Sequence, residues 1–327
     1  MFLGAGASKP LGKMLMGEFV DYLMTKTNNP APSLLDAICK KKPDLEFLIG
    51  QLQEISDKGY LADTETKLRG DGAMYYTLPA AGPEFRVARD ASSLLTWVKQ
   101  QVYEHYRSRE DNAKTKLLHG LLTRMGVAPG FTVVFTTNYD PSVEEMCRTN
   151  HLKIVDGFRH DEDHRDYVWD RRVFETFSRT GNATLVLFKI HGSTDWLMHS
   201  GRIVRSAPSS DAPGAGYQRM MIYPAQSKVA SEEPFFTGYD YLQRCLSHAE
   251  FCLTVGYSFR DYDTVMRFRV AARTNRKLRV AVLDPCAQKL CRELSEYGVR
   301  AEPIVYSLGD NPNAYYSVIR DMLEVKP

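Results

Sequence analysis

Short apolar runs alternate with amphipathic segments along the last third of the chain. Each run holds five or six mostly apolar residues, which is typical of a buried strand. The segments between the runs repeat apolar residues at the spacing of a helix with one buried face. The predicted strands are 251–255, 278–283 and 300–305, and the predicted helices that follow them are 262–274, 285–297 and 312–323. This alternation predicts a parallel sheet with right-handed crossovers and helices on both faces.

The first two thirds of the chain carry the same strand pattern, interrupted by insertions. Apolar runs predict three more strands, at 1–3, 131–135 and 185–190. The first is so short that we expect further residues upstream of Met1. Between the first two runs, about 27–125 has helical periodicity and is too long for a simple crossover, so it predicts a helical insertion.

Other stretches lack a clear period. A charged and aromatic stretch at about 152–181 predicts a smaller, irregular insertion. Residues 200–218 hold Ser, Gly and Pro and predict a surface loop, whereas the mixed stretch 57–90 predicts no single element. We therefore interpret the whole chain, 1–327, as one α/β domain with a Rossmann-like parallel sheet that carries these insertions.

Four of the predicted strands end in glycine or polar residues. These ends are Gly4-Ala5-Gly6-Ala7-Ser8, Thr136-Thr137-Asn138-Tyr139-Asp140, His191-Gly192-Ser193 and Gly256-Tyr257-Ser258. The carboxyl ends of parallel strands meet at one edge of a sheet, and open α/β sheets bind their ligands there. The pattern therefore predicts that the four ends form one pocket.

Several of these residues have the chemistry of a nucleotide site. The Gly4-x-Gly6 turn would let backbone approach a phosphate at a helix start, although Lys9 stands where the full motif has a third glycine. His191 could act as a general base near neutral pH. Asp284, at the end of another predicted strand, could bind a ribose hydroxyl.

Each of these residues also has a purely structural interpretation. Asp140 and Asp284 each precede a proline, as residues that cap helices do. The glycines fit tight turns, and His191 fits a core histidine bonded to backbone. Ser193 is not in the sequence context of a serine nucleophile. Taken one at a time, these residues leave both interpretations open.

The composition argues against several classes of function. The chain holds 42 basic and 40 acidic side chains, so no basic excess indicates direct nucleic-acid binding. No apolar run is long enough to cross a bilayer and no secretory signal is visible, so we expect a cytoplasmic protein that does not bind membranes. The six cysteines form no C-x-x-C pair, and we expect them to be reduced and buried.

One cluster has the residue types of a metal site. It consists of His160, Asp161, Asp163 and His164. Because Arg159 and Arg165 flank it, a solvated charged loop is the favoured interpretation, and we expect no bound metal.

Together the four strand ends resemble the sirtuin family in its broad sense. Members of that family bind NAD with a GAG-x-S turn, a T-x-N-x-D strand end, an HG strand end and a G-[TY]-S strand end. The same order occurs here across nearly the whole chain. The chain lacks the paired C-x-x-C motifs of the protein-deacetylating members, and Thr137 replaces their glutamine. The helical insertion and the amino-acid sequence from Phe188 to Trp196 are more similar to those of bacterial sirtuin-like proteins, which hydrolyse NAD in anti-phage defence.

This resemblance implies an NAD glycohydrolase that takes NAD as its substrate. Asn138 would position the ribose or the attacking water, His191 would act as the base, and Asp140 would hold the nicotinamide amide. The other predicted contacts with NAD are Gly4, Ala5, Gly6, Ala7, Ser8, Thr137, Ser193, Gly256, Ser258 and Asp284. The resemblance also implies a homo-oligomer and a protein activator, such as a HerA-type ATPase or an Argonaute.

Three other functions stay open at this point. The domain could sense NAD or ADP-ribose without turnover, which would give ligand-dependent stabilisation and no product. It could be an NAD-dependent protein deacylase, which the missing cysteine pairs disfavour. It could also be a scaffold subunit that assembles through the helical insertion.

Overall fold

The computed structural model describes residues 1–40, 44–68, 83–107, 118, 120–122, 131–162, 166–176, 184–205, 216–223, 232–307, 309–310 and 312–324. Contacts divide the chain into two units. The first comprises Met1–Lys13, Tyr106–Met221 and Val229–Pro327, and the second comprises Met14–His105 and Ile222–Lys228. All of the predicted site residues belong to the first unit.

The strands in the described ranges form two sheets within the first unit. They are β1 (Phe2–Leu3), β2 (Phe131–Thr136), β3 (Lys153–Val155), β4 (Phe158–Asp161), β5 (Asp166–Trp169), β6 (Thr184–Lys189), β7 (Gly192–His199), β8 (Arg202–Arg205), β9 (Tyr217–Met221), β10 (Phe251–Val255), β11 (Arg279–Leu283) and β12 (Ala301–Ile304). The larger sheet has the order β12-β11-β10-β1-β2-β6-β3, and its strands pair in parallel. The predicted α/β fold is confirmed.

Helices cover both faces of the larger sheet. Over the described residues of the whole chain the helices are α1 (Ala5–Ser8), α2 (Met16–Met24), α3 (Pro32–Cys39), α4 (Leu45–Leu68), α5 (Pro83–Arg107), α6 (Ser142–Thr149), α7 (Arg172–Thr176), α8 (Phe235–His248), α9 (Tyr262–Thr274), α10 (Ala287–Glu296) and α11 (Pro312–Glu324). None of these helices, within the ranges that are described, has the length and apolarity needed to span a membrane.

Two hydrophobic cores lie on opposite faces of the larger sheet because successive strand residues point to opposite sides. Phe188 of β6 packs in one core with residues of α8, α9 and α10. Its neighbour Leu187 packs in the other core with residues of α6 and α11. Buried on both faces, these strands are apolar almost throughout, which is why the sequence marks them so clearly.

The strand register places the predicted site segments at the same edge of the larger sheet. Leu3 pairs with Thr136 on one side and with Val255 on the other. Thr136 in turn pairs with Lys189. After β1 the chain continues to β2, which lies on one side of β1 in the sheet, whereas β10 to β12 lie on the other side of β1. The strand order therefore reverses at β1. Ligands of open α/β sheets bind outside the carboxyl ends of the strands at this point.

The smaller sheet was not predicted. Its order is β4-β5-β8-β7-β9, and its strands pair antiparallel. The predicted irregular insertion at 152–181 is therefore wrong in part, because it contains β3, β4, β5 and α7. The predicted loop at 200–218 contains β8 and the first two residues of β9. These strands are short and partly exposed, with burial of only one residue in four on β4 and β5, so they show no apolar run. Residues 206–215 lie outside the described ranges.

The described part of the second unit is mainly helical. Helix α2 packs against α3 and α4, and α3 packs against α4. The unit begins at Met14, so it includes α2, which precedes the predicted start of the insertion at about residue 27. The unassigned stretch 57–90 contains the end of α4 and the beginning of α5. Residues 69–82, and most of a helix predicted at 117–125, lie outside the described ranges.

Candidate active site

The turn after β1 packs backbone to backbone against the turn after β10. The amide of Gly4 donates to the carbonyl of Val255 at 2.9 Å, and the amide of Gly6 donates to Gly256 at 2.9 Å. A Cβ atom on Gly4 would lie 2.5 Å from the carbonyl oxygen of Gly256 and 2.6 Å from Cα of Tyr257. Gly256 itself has a φ of 58°, which favours glycine. These glycines therefore allow two strand ends to meet.

The glycine turn has less capacity for a phosphate than its motif suggests. The amide of Gly6 is bonded to Gly256, and the amide of Ala7 is bonded to the carbonyl of Gly4 at 2.9 Å. Ala7 also lies in the core, with 2% of its surface exposed. Gly4 is buried as well, so a ligand would meet this turn mainly through the partly exposed Ala5 and Gly6, and the predicted contact with Ala7 is not supported.

A chain of hydrogen bonds orients the side chain of Asn138. Its Nδ2 donates to the carbonyl of Gly4 at 2.9 Å and to Oγ of Ser8 at 2.8 Å. The Ser8 hydroxyl then donates to Oδ2 of Asp140 at 2.9 Å. Because a carbonyl and a committed hydroxyl can only accept, the amide nitrogen must face them, and the orientation of the amide follows from its partners.

The end of β2 is held by Thr136, which the sequence analysis did not single out. Its hydroxyl donates to the carbonyl of Leu3 at 3.0 Å and accepts the amide of Asn138 at 3.0 Å. Thr137 donates its amide to the same carbonyl of Leu3 at 3.3 Å. Both threonines therefore tie the loop that carries Asn138 to the end of β1.

Asp140 lies one residue before the N-cap of α6, which is Pro141, so the predicted N-cap position is wrong by one residue, although its side chain still bonds the start of the helix. Its Oδ1 accepts the amide of Ser142, the first residue of α6, at 3.1 Å. Its Oδ2 accepts the hydroxyl of Ser8. The residue is 4% exposed, so its carboxylate links α6 to the Asn138 network from within the protein.

His191 follows β6, the strand next to β2, and its side chain has a carboxylate partner. Its Nε2 is 2.8 Å from Oδ2 of Asp261 and 3.2 Å from the hydroxyl of Tyr239. The same carboxylate oxygen accepts the hydroxyl of Thr264 at 2.9 Å. Burial raises the pKa of the Tyr239 hydroxyl, with the charge of Asp261 as the second cause, so Tyr239 stays a neutral donor.

Asp261 and Tyr239 were missed by the sequence analysis. Oδ1 of Asp261 accepts the amides of Asp263 and Thr264, so Asp261 is the N-cap of α9. A cap before a predicted helix was the available signal, and it indicated only a structural role. Tyr239 belongs to the apolar stripe of α8 and carried no separate signal.

The remaining predicted contacts divide into two groups. Ser258 is exposed beyond Gly256, and Asp284 is half-buried at the end of β11, the strand beside β10. Burial raises the pKa of Asp284, and its Oδ1 accepts the amide of Cys286 at 2.7 Å. Ser193, by contrast, is fully buried and donates to the carbonyl of Tyr139 at 3.2 Å. The predicted contact between Ser193 and NAD is not supported, because its hydroxyl braces the Asn138 loop.

The described residues contain no group of three side chains placed to hold a metal ion. His160 and Asp161 lie on β4, whereas Asp163 and His164 are outside the described ranges. Asp161 pairs with Arg202 of β8.

A family model described as a SIR2-like domain matches residues 132–301. No significant match was found among curated proteins. Among solved structures, a mutant Sir2 homologue in complex with 2'-O-acetyl ADP ribose aligns over 99% of this chain and 92% of that chain, with 12% identity and a TM-score of 0.44.

The family model covers just over half of the chain, and the stretch it matches includes Asn138, His191 and Gly256. Sir2-like domains use NAD as a substrate, and NAD is the substrate that the resemblance implied. The chain belongs to the family of SIR2-like domains.

Proposed function

We propose that the protein is an NAD glycohydrolase, which cleaves the bond between nicotinamide and ribose to give ADP-ribose and nicotinamide. One observation carries the proposal: an oriented amide and an imidazole with a carboxylate partner follow adjacent parallel strands. Asn138 follows β2 and His191 follows β6, and the last residues of these strands are paired in register.

The reaction needs little from the protein at the leaving group. Nicotinamide leaves NAD as a neutral molecule and takes the bonding electrons with it, so no general acid is required. The ribose carbon becomes an oxocarbenium-like centre in the transition state, as in other glycosidic cleavages. Water attacks that carbon and loses one proton, so the site must position water or ribose and accept a proton.

Asn138 is assigned the positioning role. Its amide hydrogens are directed at Gly4 and Ser8. Within the described part of the chain, its carbonyl oxygen Oδ1 is therefore the atom left to accept a bond from a ribose hydroxyl or from the attacking water. An amide held on both hydrogens keeps that oxygen in place before the substrate arrives.

His191 is assigned the role of the base. With Asp261 accepting the proton on Nε2, the lone pair of the imidazole is on Nδ1, and this nitrogen would take the proton. The carboxylate would then stabilise the imidazolium that forms, as acidic partners of catalytic histidines do. The contact of Tyr239 with the same ring helps to keep it oriented.

Other residues complete the proposed NAD site. The turn residues Gly4, Ala5, Gly6, Gly256 and Ser258 would lie against pyrophosphate and ribose, and Asp284 would accept a ribose hydroxyl. Both oxygens of Asp140 already accept bonds, so we assign it to orienting Ser8 and Asn138, beside the contact with the nicotinamide amide that the resemblance implies.

At the level of the cell, we propose an anti-phage effector that depletes NAD. This part of the proposal is supported by the resemblance to bacterial sirtuin-like proteins. Such an enzyme would harm its host if it were always active, so the proposal includes an inhibited resting state, a homo-oligomer and a protein activator.

The test measures nicotinamide released from NAD, with and without candidate activators. Asn138→Ala and His191→Ala should each abolish release and leave the melting temperature nearly unchanged. Asn150→Ala and His248→Ala are matched controls, because among the described residues their side chains bond only a local carbonyl of α6 and of α8, respectively. Unchanged release in both site variants would reject the mechanism. Stabilisation by NAD with no release from the wild type would identify a binding module instead.

A further inference from the structure

A lysine is buried behind the loop that carries Asn138. Lys189 is the last residue of β6, and 1% of its side chain is exposed. Lysine is almost never buried to this extent unless its charge is paired. Its neighbours on the same face of β6, Leu185 and Leu187, pack in the apolar core with α6.

The ammonium group of Lys189 bonds the loop and the helix after it. Its Nζ donates to the carbonyl of Asp140 at 2.7 Å, to the carbonyl of Tyr139 at 3.3 Å, and to Oε1 of Glu144 at 3.0 Å. The three hydrogens of an ammonium group are thus directed at two successive peptide units and one carboxylate. Those peptide units directly follow Asn138.

The bond to the carbonyl of Asp140 is what Lys189 adds to the bonds that neighbouring residues already make to the loop. The carbonyl of Tyr139 also accepts the amide of Thr194 at 3.1 Å and the hydroxyl of Ser193 at 3.2 Å. Losing Lys189 would therefore leave the Tyr139 carbonyl paired and would release chiefly the carbonyl of Asp140. The side chain of Asp140 is the acceptor for Ser8, which in turn orients Asn138.

We propose that Lys189 is a positioning residue of the NAD site, whose ammonium group holds the carbonyls of Tyr139 and Asp140 and so fixes Asn138. The inference rests on the proposed function for its catalytic consequence, but not for its effect on the loop. Lys189 touches no substrate in this role and acts through the backbone.

Energetics favour positioning over simple stabilisation. Removing two charges from water costs several kcal/mol per ion, and a buried pair seldom stabilises a fold more than apolar residues of the same size. Burial raises the pKa of Glu144, and Lys189 opposes that rise. The second oxygen of Glu144 is buried without a hydrogen-bond partner in the described residues. What the pair adds beyond an apolar core is a fixed geometry for the loop.

The test removes both charges together, so that neither is left buried alone. The variant is Lys189→Met with Glu144→Gln. Glu144→Gln alone would leave the ammonium buried without a countercharge, so the two changes are made only together. Arg205→Met with Asp156→Asn is the control, because it also removes an ion pair, partly buried at 2.5 Å, and among the described residues neither side chain is bonded to the loop. Hydrogen exchange of the peptide 137–142 is measured, with kcat and KM for NAD.

We expect faster exchange at 137–142 in the Lys189 double variant only. Where the wild type hydrolyses NAD, kcat should fall about 10- to 100-fold with KM nearly unchanged, because misplacement of a positioned group affects the chemical step. Unchanged exchange at 137–142 would overturn the proposal. So would unfolding of the double variant, or equally faster exchange in the control. A wild type that shows no turnover even with the candidate activators would reject the NAD glycohydrolase function and leave the exchange result valid.

Discussion

His191 and Asp261 are 70 positions apart in the chain, yet their side chains are 2.8 Å apart. The carboxylate belongs to the N-cap of α9, so one residue both begins a helix and faces an imidazole. A cap is held by two backbone amides and cannot swing away easily. The partner of His191 is therefore rigid, which suits a base that must keep one tautomer.

The first prediction concerns this carboxylate. Asp261→Asn should keep the helix cap, because Asn and Asp cap helices equally well. It should lower kcat by about 100- to 10,000-fold, as neutralising the acidic partner of a catalytic histidine does elsewhere. The measurement is steady-state NAD hydrolysis beside a melting curve. Full activity in Asp261→Asn would remove Asp261 from the mechanism.

The second prediction concerns the cysteines, which the sequence analysis expected to be buried. Cys286 is exposed, contrary to that expectation. Burial, followed by the charges of Glu144 and Asp156, raises the pKa of Cys147 to about 12. Burial raises the pKa of Cys291 to about 11. Since the thiolate is the reactive form, iodoacetamide at pH 8 should modify Cys286 first.

The order of modification is read by mass spectrometry of the folded protein. Heat-unfolded protein provides the control, in which all six cysteines should react at similar rates. Equal rates for Cys147 and Cys286 in the folded protein would show that the core around α6 is open to solvent.

At the scale of elements, the site depends on the contact between two turns. The turn after β1 and the turn after β10 approach so closely that no side chain fits between them. Helices and strands from residue 251 onward were predicted within one or two residues at most ends. Their apolar periods are long and buried, whereas the short strands β4 and β5 of the smaller sheet expose much of their surface and show no apolar run.

The third prediction tests the turn contact. Gly4→Ala should destabilise the protein by roughly 1–3 kcal/mol, because the new Cβ would overlap backbone atoms of Gly256 and Tyr257 that have no room to move. Gly17→Ala in α2 is the matched control, since nothing lies within 4 Å of its Cβ position. Melting temperatures of both variants decide the question. Equal values would mean that the two turns are not held together.

At the scale of the whole molecule, the chain divides into a Rossmann-like unit and a helical unit. The sequence analysis interpreted the helical part as an insertion in one domain, starting near residue 27. The helical unit begins instead at Met14 and also includes Ile222–Lys228. Periodicity identifies helices, but the unit to which a helix belongs depends on its packing partners, and these are not local in sequence.

The fourth prediction concerns ligand binding by the whole protein. ADP-ribose, the proposed product, should raise the melting temperature, because a ligand at 100 times its Kd stabilises the folded state by about 2.7 kcal/mol. AMP lacks the second ribose and should stabilise less at equal concentration. Differential scanning fluorimetry measures both. No shift with ADP-ribose or NAD at millimolar concentrations would contradict the assignment of the site.

The sequence by itself determined β1, β2, β6 and β10 to β12 of the larger sheet and the four polar strand ends, but not β3 or the smaller sheet. Apolar periods, glycine turns and caps are local properties, so they can be read along the chain. Only the tertiary structure decided which groups act on one another: Ser8 on Asn138, Asp261 on His191 and Lys189 on the carbonyl of Asp140. These bonds join distant segments, because the strand order places β1 between β10 and β2. Register and strand order are set by packing of the whole sheet, which no single stretch of sequence encodes.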